Sequence, residues 1–337
     1  RVDGSSTVFV LSEAVAEEFT NAGNRARVTV GQSGTGGGFQ KFCRAETDVS
    51  DASRPIRPPE IEACKAAGIN FYEIPVAYDG IAVVVNPKAA WINDITTAEL
   101  KKLWAPEAQG MVMRWNQIRP SWPDREIHLF GAGVDSGTYD YFTEAITGKE
   151  GASRGDFTSS EDDNVLVQGI QNDELALGFV PFAYFEANAG KLKLVPVDDA
   201  KGDNGDGAIA PSADTIRNGT YQPLSRPVFI YVSTKAAARP EVQKFVEFYL
   251  KNAEQLVREV NYVPLGQEIY SLVSDRYAKK TTGSAFAGKH TVGVTLDQLL
   301  AAEHGKRNEL KERLLHAYFE EGRPVFDVDA LVAPAAE

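Results

Sequence analysis

Two short stretches set hydroxyls beside glycines where a strand-like run gives way to a helix-like one. They are Ser33-Gly34-Thr35-Gly36-Gly37-Gly38 and Asp135-Ser136-Gly137-Thr138. Glycine lets backbone N–H groups converge without a Cβ in the way. A helix N-terminus adds unpaired donors and a partial positive charge. Together these make a site for a small oxyanion. Two such cradles, far apart in the chain, predict a clamp with one jaw on each of two lobes.

The runs around the cradles alternate between strand and helix, the α/β pattern. Residues 8–10 read as a strand and 12–20 as a helix capped by Ser12. Residues 27–30 read as a strand entering the first loop, which opens a helix over 39–44. A strand end and turn follow over 48–53, stopped by Pro55. The helix over 58–67 ends at Gly68, and residues 71–76 and 81–85 read as two strands. In the second unit, Thr96 or Thr97 caps a helix over 96–104. Residues 127–130 form a strand into the second loop, which opens a helix over 139–146. A helix over 161–171, with Ser160 as cap, is followed by strands over 176–180 and 192–196. Residues 198–206 are a polar loop, 227–233 an apolar β run and 240–257 an amphipathic helix. Residues 296–319 read as one or two charged helices broken near Gly305, and 332–337 as a frayed tail. The absence of a low-complexity linker between two units implies that the chain crosses between them more than once.

The chain has 337 residues, 43% of them hydrophobic, enough for about two domains. Its apolar runs, such as residues 81–85, fall far short of the roughly 18 residues of a membrane span. The start at Arg1, almost directly before a strand-like pattern, reads as a processed or trimmed terminus. A formal net charge of −12 argues against a nucleic-acid surface. It does not forbid an anion, which local N–H dipoles can hold on an acidic protein. Cys43 and Cys64 are either two buried thiols or a disulfide. Their place on consecutive helices favours the disulfide, worth about 3 kcal/mol in the chain-entropy model and implying an oxidising compartment.

Familiar catalytic patterns fit poorly. No Lys-Ser or Lys-Thr follows the first glycine run, against a P-loop, and no acid sits where a dinucleotide fold needs one. Gly133-Val134-Asp135-Ser136-Gly137 is not a nucleophile elbow, and no downstream histidine stands in a triad pattern with it. The four histidines, His128, His290, His304 and His316, lack metal-ligand spacing. His128 reads as a packed side chain, and Asp162-Asp163 as helix N-terminal acids. No cofactor and no metal are expected, and the chain reads as a binding protein, not an enzyme.

Two further elements carry anion chemistry. In Ala52-Ser53-Arg54-Pro55-Ile56 an arginine locked before proline can offer a bidentate fork. Gly4-Ser5-Ser6-Thr7-Val8 supplies hydroxyls and N–H groups near the N-terminus. The order of these segments, with Ser-Gly-Thr-Gly-Gly-Gly-Phe and Asp-Ser-Gly-Thr, resembles the periplasmic phosphate-binding protein of the phosphate ABC importer, the PstS family. It is most similar to the cyanobacterial-type branch that carries Glu161-Asp162-Asp163-Asn164-Val165-Leu166-Val167. The resemblance covers roughly residues 2–265.

The resemblance implies a type II periplasmic binding protein fold: two α/β domains, two hinge crossovers, and a ligand cleft between them. The crossovers should fall near residues 77–83 and 227–232. Domain I would then be 1–79 plus 232–337, including the C-terminal helices, and domain II 80–231. The implied phosphate site comprises Ser6, Thr7, Val8, Ser33, Gly34, Thr35, Gly36, Ser53, Arg54, Asp135, Ser136, Gly137 and Thr138. The second-loop contact is Ser33 or Thr35. Two departures stand out. Ser53 lies where much of the family has aspartate. Ala132-Gly133-Val134 lies where an arginine often precedes Ser-Gly-Thr. Arg54 is expected to replace that charge, and Asp135 or Asp51 to accept the ligand's proton. The implied protein is a monomeric, periplasmic or otherwise extracytoplasmic receptor, lipid-anchored or not in its precursor, that delivers phosphate to a membrane permease. The alternatives are a receptor for arsenate, sulfate or molybdate, and a phosphate-ester hydrolase.

Overall fold

The computed structural model describes residues 1–286 apart from Asp135, Glu161 and Asp203, together with Leu296. The helices expected over 296–319 and the frayed tail lie outside the described residues, save for Leu296. In chain order the first elements are β1 (Val2–Gly4), α1 (Ser6–Asn21), β2 (Val30–Gln32), α2 (Gly34–Cys43), β3 (Val49–Ala52), α3 (Pro58–Ala66) and β4 (Phe71–Val85). There follow β5 (Ile95–Thr96), α4 (Thr97–Trp104), β6 (His128–Ala132), α5 (Gly137–Thr147), β7 (Thr158–Ser160), α6 (Asp163–Gln171) and β8 (Ala176–Pro181). The last are α7 (Phe182–Ala187), β9 (Lys193–Leu194), β10 (Val197–Asp198), α8 (Ala213–Arg217), β11 (Ser225–Ser233), α9 (Thr234–Ala237), α10 (Pro240–Glu259) and α11 (Gln267–Ala278).

One mixed sheet runs in the order β2-β1-β3-β11-β4-β8-β6-β7, with β9 also pairing β4. The parallel pairs β1 with β2 and β3, and β6 with β7 and β8, lie at its two ends. The antiparallel strands β4 and β11 join them. Over residues 71–80, β4 pairs with β11; over 81–85 it pairs with β8. Asp79-Gly80, which interrupts the apolar pattern, is therefore not a turn between two strands. It lies within one buried 15-residue strand, at the point where the partner changes.

The first residues also depart from expectation. The β-branched run at 8–10 lies inside α1, and Ser12 is not its cap. Val8, Leu11, Val15 and Phe19 recur at helical spacing and are buried, and Phe19 meets Phe245 of α10 edge-on at 5.5 Å. Burial of that stripe overrides local strand preference. The Ser12 hydroxyl instead donates to Asp51 Oδ1 at 2.9 Å. Likewise α2 opens at Gly34, within the glycine run and not after it. A Cβ on Gly38 would lie 2.6 Å from Gly4 Cα and 3.1 Å from Asp3 O, so only glycine lets this turn rest on β1. The cap of α6 is Asp162, which accepts from Asn164 N at 2.9 Å, not Ser160. Thr96 caps α4, accepting from Glu99 N at 3.1 Å.

Cys43 at the end of α2 and Cys64 in α3 form a disulfide. Among the described residues no helix is long and apolar enough to cross a membrane, and no group of His, Cys, Asp and Glu could hold a metal ion.

Candidate functional site

The starts of α1, α2 and α5 converge on one polar cleft. From the first side Ser5, Ser6 and Thr7 line it, with Gly34 and Thr35 and, behind them, Ser53. From the second side come Asp140, Tyr141 and Glu144 of α5 and Glu150 beyond it, and Arg226 of β11 completes the lining. Thr35 and Ser53 hold one another: their hydroxyls are 3.0 Å apart, and Ser53 N donates to Thr35 Oγ1 at 3.2 Å.

The two sides touch. Thr7 Oγ1 donates to Gly137 O at 3.3 Å, and Ser6 Oγ to Asp140 Oδ2 at 3.0 Å. A Cβ on Gly137 would fall 2.6 Å from Thr7 N and 2.7 Å from Thr7 Cα. Because both atoms belong to the backbone, the approach is open only to glycine.

Several expected residues lie elsewhere. Ser33 is exposed, and its hydroxyl donates to Asp3 Oδ1; of the pair Ser33 and Thr35, Thr35 lines the cleft. Val8 is fully buried in the core face of α1. Gly36 lies in the first turn of α2, and a Cβ there would sit 4.0 Å from Arg54 Nη2. Ser136 accepts from Thr138 N at 3.2 Å and so spends its oxygen on capping α5, while Thr138 is buried. Asp135 lies outside the described residues.

Arg54, the arginine expected to supply charge to the site, is paired with a carboxylate and is not among the residues that line the cleft. Its guanidinium grips Glu60 with both nitrogens, at 2.9 Å and 2.7 Å, and Glu60 in turn accepts from Arg57 N to close the N-terminus of α3. The arginine in the cleft is Arg226. Asp51 is wholly enclosed, one oxygen taken by Ser12 and the other without a hydrogen-bond partner. Burial pushes its pKa up to about 8, so at neutral pH it keeps its own proton and is not a ready acceptor for another. The carboxyls that do line the cleft are Asp140, Glu144 and Glu150. Burial, then the charges of Asp140 and Glu144, raise the pKa of Glu150.

Arg226, Asp140, Glu144 and Glu150 were missed by sequence reasoning. The signal for Arg226 was its place directly before the apolar run 227–233, a charge at the mouth of a buried strand. His128 is half-exposed and sits 2.5 Å from Asp173 Oδ2, away from the cleft lining.

A family model described as a PBP superfamily domain matches residues 1–253. Protein SphX of Synechococcus elongatus is 50% identical over 301 residues, covering 89% of this chain and 88% of its own length. The phosphate-binding protein PstS of Staphylococcus saprophyticus is 34% identical over 272 residues, covering 80% of this chain and 81% of its own. A crystal structure of a possible phosphate binding protein from Planctomyces limnophilus superposes with a TM-score of 0.78 at 46% identity, over 83% of this chain and 97% of that one. An ABC-type phosphate transport receptor from Vibrio cholerae, at 21% identity and a TM-score of 0.60 over 78% of this chain and 98% of its own, shares the fold. The chain therefore has the type II periplasmic binding protein fold and belongs to the PBP superfamily, in the PstS family and on the branch that carries SphX.

Proposed function

We propose that this chain is the extracytoplasmic receptor of a phosphate ABC importer, which captures inorganic phosphate by closing two lobes around it. One observation carries the reading: the hydroxyl-bearing starts of α1 and α2 and the glycine start of α5, far apart in sequence, meet across a single cleft. The names and coverage of the relatives support phosphate as the ligand and a membrane permease as the partner. Binding without turnover, a periplasmic or other extracytoplasmic location and a monomeric state complete the proposal.

On this reading Ser6, Thr7, Gly34, Thr35 and Ser53 offer donors from one lobe. The N–H of Gly137, at the N-terminus of α5, offers one from the other. The partner change along β4 at residues 80 and 81 supports the first lobe boundary, 1–79 against 80 onward; for the return boundary, expected between 231 and 232, the pairing of residues 226–231 with residues 73–79 and with β3 favours a place nearer residue 225, and most of residues 287–337 lies outside the described part. Closure shifts an open–closed equilibrium by as much as the ligand's differential contacts allow. Hydrogen bonds to a charged group contribute about 1.5–3 kcal/mol each, so a handful suffices for micromolar affinity after the cost of association.

Phosphate near neutral pH carries a proton and sulfate does not. The cleft carboxyls Asp140 and Glu150 accept such a proton but meet only lone pairs on sulfate, a mismatch of about 1–3 kcal/mol and hence roughly ten- to hundredfold. Calorimetry with phosphate and sulfate at two pH values tests this. Micromolar or tighter phosphate with much weaker sulfate is expected, and equal affinities would defeat the proton argument. Turnover of a chromogenic phosphomonoester would defeat the non-enzyme reading.

A further inference from the structure

A positive charge in the cleft strengthens the hold of N–H dipoles on an anion, and the segment ahead of Ser136 supplies none. Among the described lining residues the one cation is Arg226, facing the carboxyls of Asp140, Glu144 and Glu150. It belongs to neither glycine loop. It is the second residue of β11 and pairs in register with Asp79 of β4, so its backbone sits on the two strands that join the ends of the sheet. Its side chain is 13% exposed, and its fork is aimed. Its Cζ lies 3.6 Å from the centre of the Tyr141 ring, and Nε stands 3.5 Å from Asp79 Oδ2. Asp79 is fully enclosed, and that oxygen has no hydrogen-bond partner. These two neighbours hold the near end of the guanidinium and leave the far nitrogens to the cleft. There Nη2 donates to Thr7 Oγ1 at 3.2 Å, and Nη1 reaches Glu144 Oε2 at 3.4 Å. The second contact is at the weak end of the hydrogen-bond range. Glu144 is also 45% exposed, so solvent screens the pair and its carboxylate can turn to water at small cost.

We propose that Arg226 is the cationic ligand of the bound oxyanion, and that Glu144 is an internal competitor for Nη1 which the anion displaces. The inference rests on the receptor reading above. A phosphate oxygen pair matches the planar fork better than a single, long carboxylate contact does. Displacing Glu144 exchanges that contact for two charge-assisted ones and removes a like charge from the anion's surroundings. Asp79 and Tyr141 act as positioning residues: they aim the guanidinium and do not touch the ligand. The sheet strand, not the loop, then carries the arginine.

The test is titration calorimetry of the full chain with inorganic phosphate. Arg226→Ala should weaken binding by about 100-fold or more, and Arg226→Lys by about tenfold, since an ammonium keeps the charge but loses the fork. Glu144→Gln should tighten binding by about three- to tenfold, and that gain should vanish when Arg226 is also replaced. Loss of Arg226 strands the buried Asp79, so the Arg226→Met/Asp79→Asn pair is titrated alongside, with thermal melts of every variant. The pair should bind phosphate as weakly as Arg226→Ala. Wild-type affinity in folded Arg226 variants would overturn the arginine's role alone. Weaker binding by Glu144→Gln would overturn the competition. A wild-type chain that binds no phosphate would overturn the receptor reading itself, and this inference with it.

Discussion

On the first side of the cleft, Thr35 lines the cleft and its hydroxyl is held by Ser53, the residue just past the end of another strand. On the second side, Ser136 stands in the same kind of strand–glycine–helix turn, but its oxygen folds back onto Thr138 N and caps its own helix. The first side offers hydroxyls; the second offers the close backbone of Gly137 and a row of carboxyls on α5. The two sides are also secured differently. The Cys43–Cys64 disulfide and the Arg54–Glu60 fork tie α2, β3 and α3 together. On the second side Thr143 accepts from Gly151 N at 2.8 Å, and Tyr139 donates to Gly151 O at 3.2 Å. A hydroxyl in a glycine turn goes to the nearest unpaired N–H unless a distant element holds it elsewhere. Similar local sequences therefore give one wall of hydroxyls and one of close backbone and carboxyls.

The contrast makes graded predictions. Gly137→Ala should cause the largest loss, about 100-fold in phosphate affinity, because its Cβ meets the Thr7 backbone only when the sides come together. Calorimetry paired with thermal melts checks this, and unchanged affinity would show that the sides need not approach so closely. Next comes a buried feature of the first side. Because the folded pKa of Asp51 is raised to about 8, its contribution to stability is complete below the unfolded pKa near 4 and is lost as pH rises toward 8. Between pH 4 and pH 8 the wild type should lose roughly 5 kcal/mol more stability than Asp51→Asn, measured by urea unfolding. Equal pH profiles would mean that Asp51 is ionised in the folded protein.

Thr35→Val should weaken phosphate binding by about tenfold, through one lost hydroxyl donor and the stranded Ser53 N–H. Ser136→Ala should cost about 1 kcal/mol of stability as a lost helix cap and change affinity less than threefold. If Ser136→Ala weakened binding as much as Thr35→Val, the two sides would be equivalent in function and the contrast would fail.

Much of this arrangement was legible in the chain. The glycine-hydroxyl turns, the helices that begin near 58 and 97, and the apolar strand runs each follow from local chemistry. The disulfide was favoured from the helices that carry its cysteines. The misreadings share one cause. Residues 8–10 look like a strand because their β-branched character is local, whereas the helix that holds them is stabilised by distant Phe245. Residues 71–76 and 81–85 look like two strands because a buried aspartate inside one long strand makes sense only with Arg226 beside it. Arg54 looks like an anion fork until Glu60, six residues on, takes both its nitrogens.

By itself the sequence settled the alternation of strand and helix, the two glycine turns and the cap at Thr96, which depend on dihedral preference and on groups within a few residues of one another. Tertiary structure alone decided which arginine faces the cleft, which hydroxyls are spent on their own helix and which carboxyls surround the pocket. Those outcomes depend on competition between charges and donors far apart in the chain. Only folding brings them to within 4 Å, the range where a hydrogen bond or ion pair chooses its partner.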